Sequence, residues 1–159
     1  MSAVGRRSGL GREHVLEAHA APLLGQLGRP GSLGVLRAEA AGPDPAGQLV
    51  GLFDALTSAC RRDGYRGCAF INAAAESASG TRVHARTVAH KENIRAWLRE
   101  LAAAAGARNP DHLARSLTLL LDGGLASGVL DADPAAAAAA RGAAAQLVAA
   151  SRKTPPAPS

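Results

Sequence analysis

The sequence predicts an all-α protein, and three observations carry that reading. Hydrophobic residues fill 47% of the 159 positions while aromatics fill only 3%, so the core has to be built from Leu, Val, Ile and Ala. Long Ala runs favour helix, because Ala has the strongest intrinsic helix propensity. Strand-forming residues never alternate over several positions, which argues against a half-buried sheet. A chain of this length is enough for one domain with a sizeable core.

Three helix starts share one signal, a capping residue followed by proline: Asp44-Pro45, Asn109-Pro110 and Asp133-Pro134. The Asp or Asn oxygen accepts a bond from a free backbone N–H, and Pro at the first helical position has no N–H to satisfy. The first helix runs from Pro45 to about Arg62, with Leu49, Leu52, Phe53 and Leu56 at helical spacing and Gly64 as its stop. The second spans about Gly67 to Ser77, followed by the turn "SASGTR". The third spans about Val83 to Ala105, ends at Gly106, and carries the stripe Ile94, Trp97, Leu98, Leu101 and Ala105. The fourth starts at Pro110 and carries Leu113, Leu117, Leu120, Leu121 and Leu125. The fifth is the Ala-rich segment from Pro134 to about Ala150. Residues 44–150 therefore form the helical domain. Residues 1–43, punctuated by Gly and Pro, read as poorly structured, and the Pro-rich tail 151–159 as disordered.

The formal charge of +5 raises the question of nucleic acid. Residues 1–43 hold five arginines against three glutamates, leaving +3 spread thinly over the helices. A DNA-binding surface concentrates its cations on one face or one helix, and only Arg6-Arg7 resembles a basic arm. The N-terminus lacks the apolar segment that secretion needs. No run reaches the roughly 18 apolar residues of a membrane span, and Asp122, Asp131 and Asp133 interrupt the nearest candidate. Cytoplasmic location and no membrane partner are the expectation, with Cys60 and Cys68 as buried thiols.

The stretch "GYRGCAFINAAAES" has the densest chemistry. On a helix, Cys68, Asn72 and Glu76 would share one slowly drifting stripe. A Cys nucleophile needs an activating base; His84 and His90 lie downstream, but no local signature surrounds the thiol. An inert thiol beside a polar strip is the better reading, and the chain is expected not to be an enzyme. No metal or other cofactor is expected. His14 and His19 have no CxxC pair beside them, and His84 and His90, six apart, fall on different helix faces. "LLLDGGLASG" lacks the Lys-Ser or Lys-Thr of a phosphate loop. Its Gly124 and Gly128 either form a row that lets another helix come close or are incidental glycines in a fraying helix. The fifth helix has Leu147 and Val148 as its only large apolar groups and suits a thin helix fitted against neighbours, in this chain or in a second copy.

Taken in order, "DPAGQLVGLFDAL", "RGCAFINAAAES", "HKENIRAWLRELAAAAGARNPDHLARSLTLLLDGGLASGVL" and "DPAAAAAARGAAAQLV" resemble the C-terminal domain of TetR/AcrR-type transcriptional regulators, over residues 44–150. The resemblance implies a helical bundle around a small-molecule pocket, with the last two helices pairing with those of a second subunit. It places Phe53, Leu56, Cys68, Phe70, Ile71, Asn72, Glu76 and Trp97 near the pocket. It also assigns Leu117, Leu121, Gly124, Leu125, Gly128 and Leu147 to the dimer interface. An apolar pocket with Asn72 and Glu76 suits a small hydrophobic ligand with a polar or cationic end.

The family also begins with a three-helix DNA-binding unit, whereas residues 1–43 contain no Phe, Tyr or Trp and no three periodic helices. The expectation is a regulator with its DNA reader lost or truncated, forming a homodimer or a heterodimer with a full-length relative. DNA would be a partner only if an N-terminal reader is present. The alternatives are a stand-alone ligand-binding or heterodimerising protein without DNA binding, a reader hidden by a misread N-terminal region, and a small enzyme using Cys68.

Overall fold

A computed structural model describes residues 44–61, 65–130 and 134–152, which form five helices and no strand. They are α1 (Pro45–Cys60), α2 (Ala69–Glu76), α3 (Arg82–Ala104), α4 (Pro110–Leu130) and α5 (Pro134–Ser151). Residues 1–43, for which the sequence predicts a poorly structured region without a DNA reader, lie outside the described residues, as do Asp133, Gly64 and 153–159.

The helix starts follow the capping chemistry. Asp44 Oδ1 accepts Gly47 N–H at 2.8 Å, and Asn109 Oδ1 accepts His112 N–H at 3.0 Å. Thr81, which the sequence pattern places inside a turn, caps α3 by accepting His84 N–H at 3.2 Å. At the other end of α3, Gly106 adopts φ +79°, a conformation glycine takes without strain. There Gly106 N–H bonds to Ala103 O, and Ala107 N–H to Ala102 O, each at 3.0 Å. That pair of bonds is a Schellman closure and satisfies two helix-end carbonyls.

Helix α4 lies between α3 and α5, while α1 packs on α5 and also touches α3 and α4. One continuous core joins Leu49, Leu52, Phe53 and Leu56 of α1 to Ile94, Trp97 and Leu98 of α3, and to Leu113, Leu117 and Leu121 of α4. Helix α5 adds Ala137, Ala140, Ala144 and Val148. These small side chains, one turn apart, let α5 lie close against α1 and α4, the thin-helix packing its composition predicts. Ala73 of α2 and Val83 of α3 form a separate small cluster.

The end of α5 reaches further than expected. Ser151 completes α5 and its carbonyl accepts Arg108 N–H at 2.8 Å, while Arg152 bridges to Ala107. The first two residues of the expected tail are therefore pinned to the α3–α4 turn. Helix α4 has the length and mean hydropathy, 1.3, of a membrane span. However, its Leu113, Ala114, Leu117, Thr118, Leu121 and Gly124 are buried in the bundle, and its Asp122 pairs with Lys91 of α3. Both are marks of a core helix.

Candidate functional site

The short segment before α2 crosses the C-terminal half of α4, and the two enclose a cleft. Tyr65 anchors it, its hydroxyl donating to Leu125 O at 3.0 Å. Burial, and then the adjacent Cys60, push the Tyr65 phenol above its ordinary range, so it stays a donor at neutral pH. Gly67 follows with φ +79°; a Cβ there would sit 3.0 Å from Val129 Cγ2, so both the backbone angle and the close approach call for glycine. Asn72 Nδ2 reaches back to Arg66 O at 2.8 Å and fastens the segment to α2.

The cleft has a volume of about 230 Å³. One wall is Arg66, Gly67, Cys68, Ile71 and Asn72, and the other is Leu125, Ala126, Val129 and Leu130 of α4. Val129 is 45% exposed and Leu130 82%, an unusual amount of apolar surface for one helix end. Among the described lining residues there is no histidine, the usual activating base of a Cys nucleophile. Cys68 itself is the extended N-cap residue of α2, half-buried and making no side-chain cap bond. Its place outside the helix takes it off the stripe that the sequence predicted with Asn72 and Glu76.

Of the residues expected at the pocket, Cys68, Ile71 and Asn72 meet at this cleft. Phe53 (0% exposed), Leu56 (1%) and Trp97 (8%) are instead inside the core, and Glu76 is exposed at the far end of α2. Phe70 turns away to α3, stacking on His90 with ring centroids 3.5 Å apart and planes 8° from parallel. Burial and then Lys91 hold the His90 imidazole below its ordinary value, with Asp122 acting in the opposite direction. Among the described residues, no group of three or more His, Cys, Asp or Glu side chains gathers where a metal ion could be held.

The residues expected at an interface divide in the same way. Leu117 and Leu121 are core residues, 0% and 2% exposed. The glycine row does admit a close helix, and that helix is α1 of the same chain. A Cβ on Gly124 would lie 2.5 Å from Leu56 Cδ2, and one on Gly128 2.5 Å from Cys60 Sγ. Leu125, Gly128 and Leu147 are half-buried. The outward face of α4 is a different set: Leu119 (68% exposed), Gly123, Ala126 and Leu130. Their 4, 3, 4 spacing was visible in the sequence, but the neighbouring leucines repeat equally well and masked it. On α5 the exposed positions are mostly small, Ala135, Ala138, Ala139, Gly142 and Ala149, with Arg141 and Gln146 among them. A second cavity, of about 330 Å³, opens between the two helices near His112, Ser116, Leu147 and Ala150.

No family model and no curated protein matches the chain. Solved structures do, among them the following two. A TetR-family transcriptional regulator from Streptomyces coelicolor superposes with a TM-score of 0.68 at 27% identity, over 74% of this chain and 66% of that one. A candidate TetR-type transcriptional regulator from Streptomyces avermitilis superposes with a TM-score of 0.61 at 23% identity, over 86% of this chain and 70% of that one. This chain thus spans slightly less than two thirds of the S. coelicolor protein. The all-helical bundle of the described residues therefore has the fold of TetR-family transcriptional regulators.

Proposed function

We propose that this chain is a TetR-like transcriptional regulator whose described helices bind a small hydrophobic effector and dimerise through α4 and α5, in the cytoplasm and without enzymatic activity. The observation that carries the reading is the outward face of those helices. Leu119 and Leu130 lie uncovered at 68% and 82% exposure, with Gly123 and Ala126 between them on the same face. An exposed apolar surface of this kind is costly on a monomer and marks an interaction site. Small residues between the leucines allow the backbones of two copies to come close, and a two-fold axis makes the same patch serve both subunits.

Sedimentation velocity at micromolar concentration tests this directly. The wild-type chain is expected to run as a dimer, and Leu119→Arg, at an exposed position, as a folded monomer. A monomeric wild-type chain would overturn the dimerisation reading.

The absence of Phe, Tyr and Trp from residues 1–43 favours a second reading, a ligand-binding or heterodimerising protein that reads no DNA itself. Titrating labelled duplex from the gene's upstream region separates the two. Sequence-dependent binding that survives physiological salt supports the regulator. Binding lost with modest salt reflects general positive charge only, since phosphate contacts are strongly salt-dependent.

A further inference from the structure

The cleft between α2 and α4 fixes the chemical class of its occupant, an inference that rests on the effector-binding reading above. We propose that it takes a small molecule with a short apolar body and an anionic end, such as a medium-chain carboxylate. Its volume of about 230 Å³ is below the roughly 300–1,000 Å³ of drug-sized sites, which suits one short chain or one ring. Ile71, Leu125, Val129 and Leu130 supply apolar wall, and the exposure of Val129 and Leu130 gives that wall area to cover. Among the described lining residues one is charged, Arg66, and none is Asp or Glu. Glu76, which would have favoured a cation, is exposed at the opposite end of α2. The Asn72 amide nitrogen is already bonded to Arg66 O, which leaves the Arg66 side chain as the cationic donor among the described lining residues. The start of α2 also faces this side through Cys68, which makes no side-chain cap bond, so the positive end of the helix adds to the same field. A guanidinium at an apolar cleft recognises a carboxylate by charge-assisted hydrogen bonds.

Calorimetric titration of the full chain with octanoate, octanol and octylammonium, which share one apolar body, reads the charge preference. Octanoate is expected to bind at least tenfold more tightly than the other two. Arg66→Gln should level octanoate with octanol, and Arg66→Glu should reverse the order in favour of octylammonium. Arg66 is exposed, so both variants should keep the wild-type circular dichroism. Octylammonium binding as tightly as octanoate to the wild-type chain, or an octanoate preference that persists in Arg66→Gln, overturns the anionic assignment while leaving the effector-binding reading standing. Failure of all three probes to bind the folded wild-type chain overturns the cleft as the effector site.

Discussion

Gly128 shows how tightly single positions are set. The site it faces is filled by Cys60 Sγ, and Tyr65 Cε1 would be only 3.1 Å from an added Cβ. Alanine gains about 1 kcal/mol of helix propensity over glycine, but overpacking a filled site costs about 1–3 kcal/mol. Gly128→Ala is therefore expected to lower stability in urea by about 1 kcal/mol, balancing those two effects. Cys60→Ala/Gly128→Ala should recover most of the loss, because it removes the sulfur in the way, and a double-mutant cycle would read that coupling. His90 makes a prediction of another kind. Its folded-state pKa lies below the ordinary 6.5, so between those two values the unfolded chain binds more protons than the folded one. Its contribution is fully present above about pH 6.5 and is lost as pH falls through the folded pKa. His90→Phe retains an aromatic partner for Phe70 but cannot titrate, and should flatten the denaturation midpoint against pH in that window.

Among the elements, α1 and α2 lie at opposite ends of the stability range. Helix α1 buries Leu49, Leu52, Phe53 and Leu56 almost completely, and its start is fixed by Asp44. Removing that cap with Asp44→Ala should cost about 1 kcal/mol, measurable by chemical denaturation. The ion pair Arg141–Asp54 joins α5 to α1 at 2.7 Å, but both side chains are about half exposed, so it adds little. Helix α2 has only eight residues and packs chiefly on α3, through Ala73, Val83, the Phe70–His90 stack and Thr87 Oγ1 donating to Phe70 O at 3.3 Å. So small a contact gives low resistance to local opening. Hydrogen exchange should show the amides of 72–76 exchanging well before those of 94–104 and 117–124. Equal protection would mean that α2 opens only with the whole bundle.

For the molecule as a whole, dimerisation through α4 and α5 makes stability depend on concentration, because association selects the folded chain. The melting temperature of the wild-type chain is expected to rise over a hundredfold increase in concentration, and that of Leu119→Arg to stay constant. The same scale connects the cleft to the proposed interface. Ala126 and Leu130 line the cleft and also belong to the outward face of α4. A ligand there would touch surface that a second subunit also approaches, giving effector binding and assembly a shared set of side chains.

The sequence by itself determined the helices. Capping pairs, proline positions and the 3.6-residue stripes are local signals, so Asp44-Pro45, Asn109-Pro110 and the stop at Gly106 lie where their chemistry places them. It also marked Cys68, Ile71 and Asn72 as neighbours, because they share one short stretch. Only the tertiary structure decided which way each helix faces. A stripe of Leu and Gly reads the same whether its partner is α1 or a second copy. Packing turned Leu117, Leu121 and Gly124 inward and left Leu119 and Leu130 outside. It likewise drew Phe53, Leu56 and Trp97 into the core and put Arg66 on the cleft with Glu76 away from it. Periodicity gives each helix an apolar side, but what that side meets depends on the elements packed beside it.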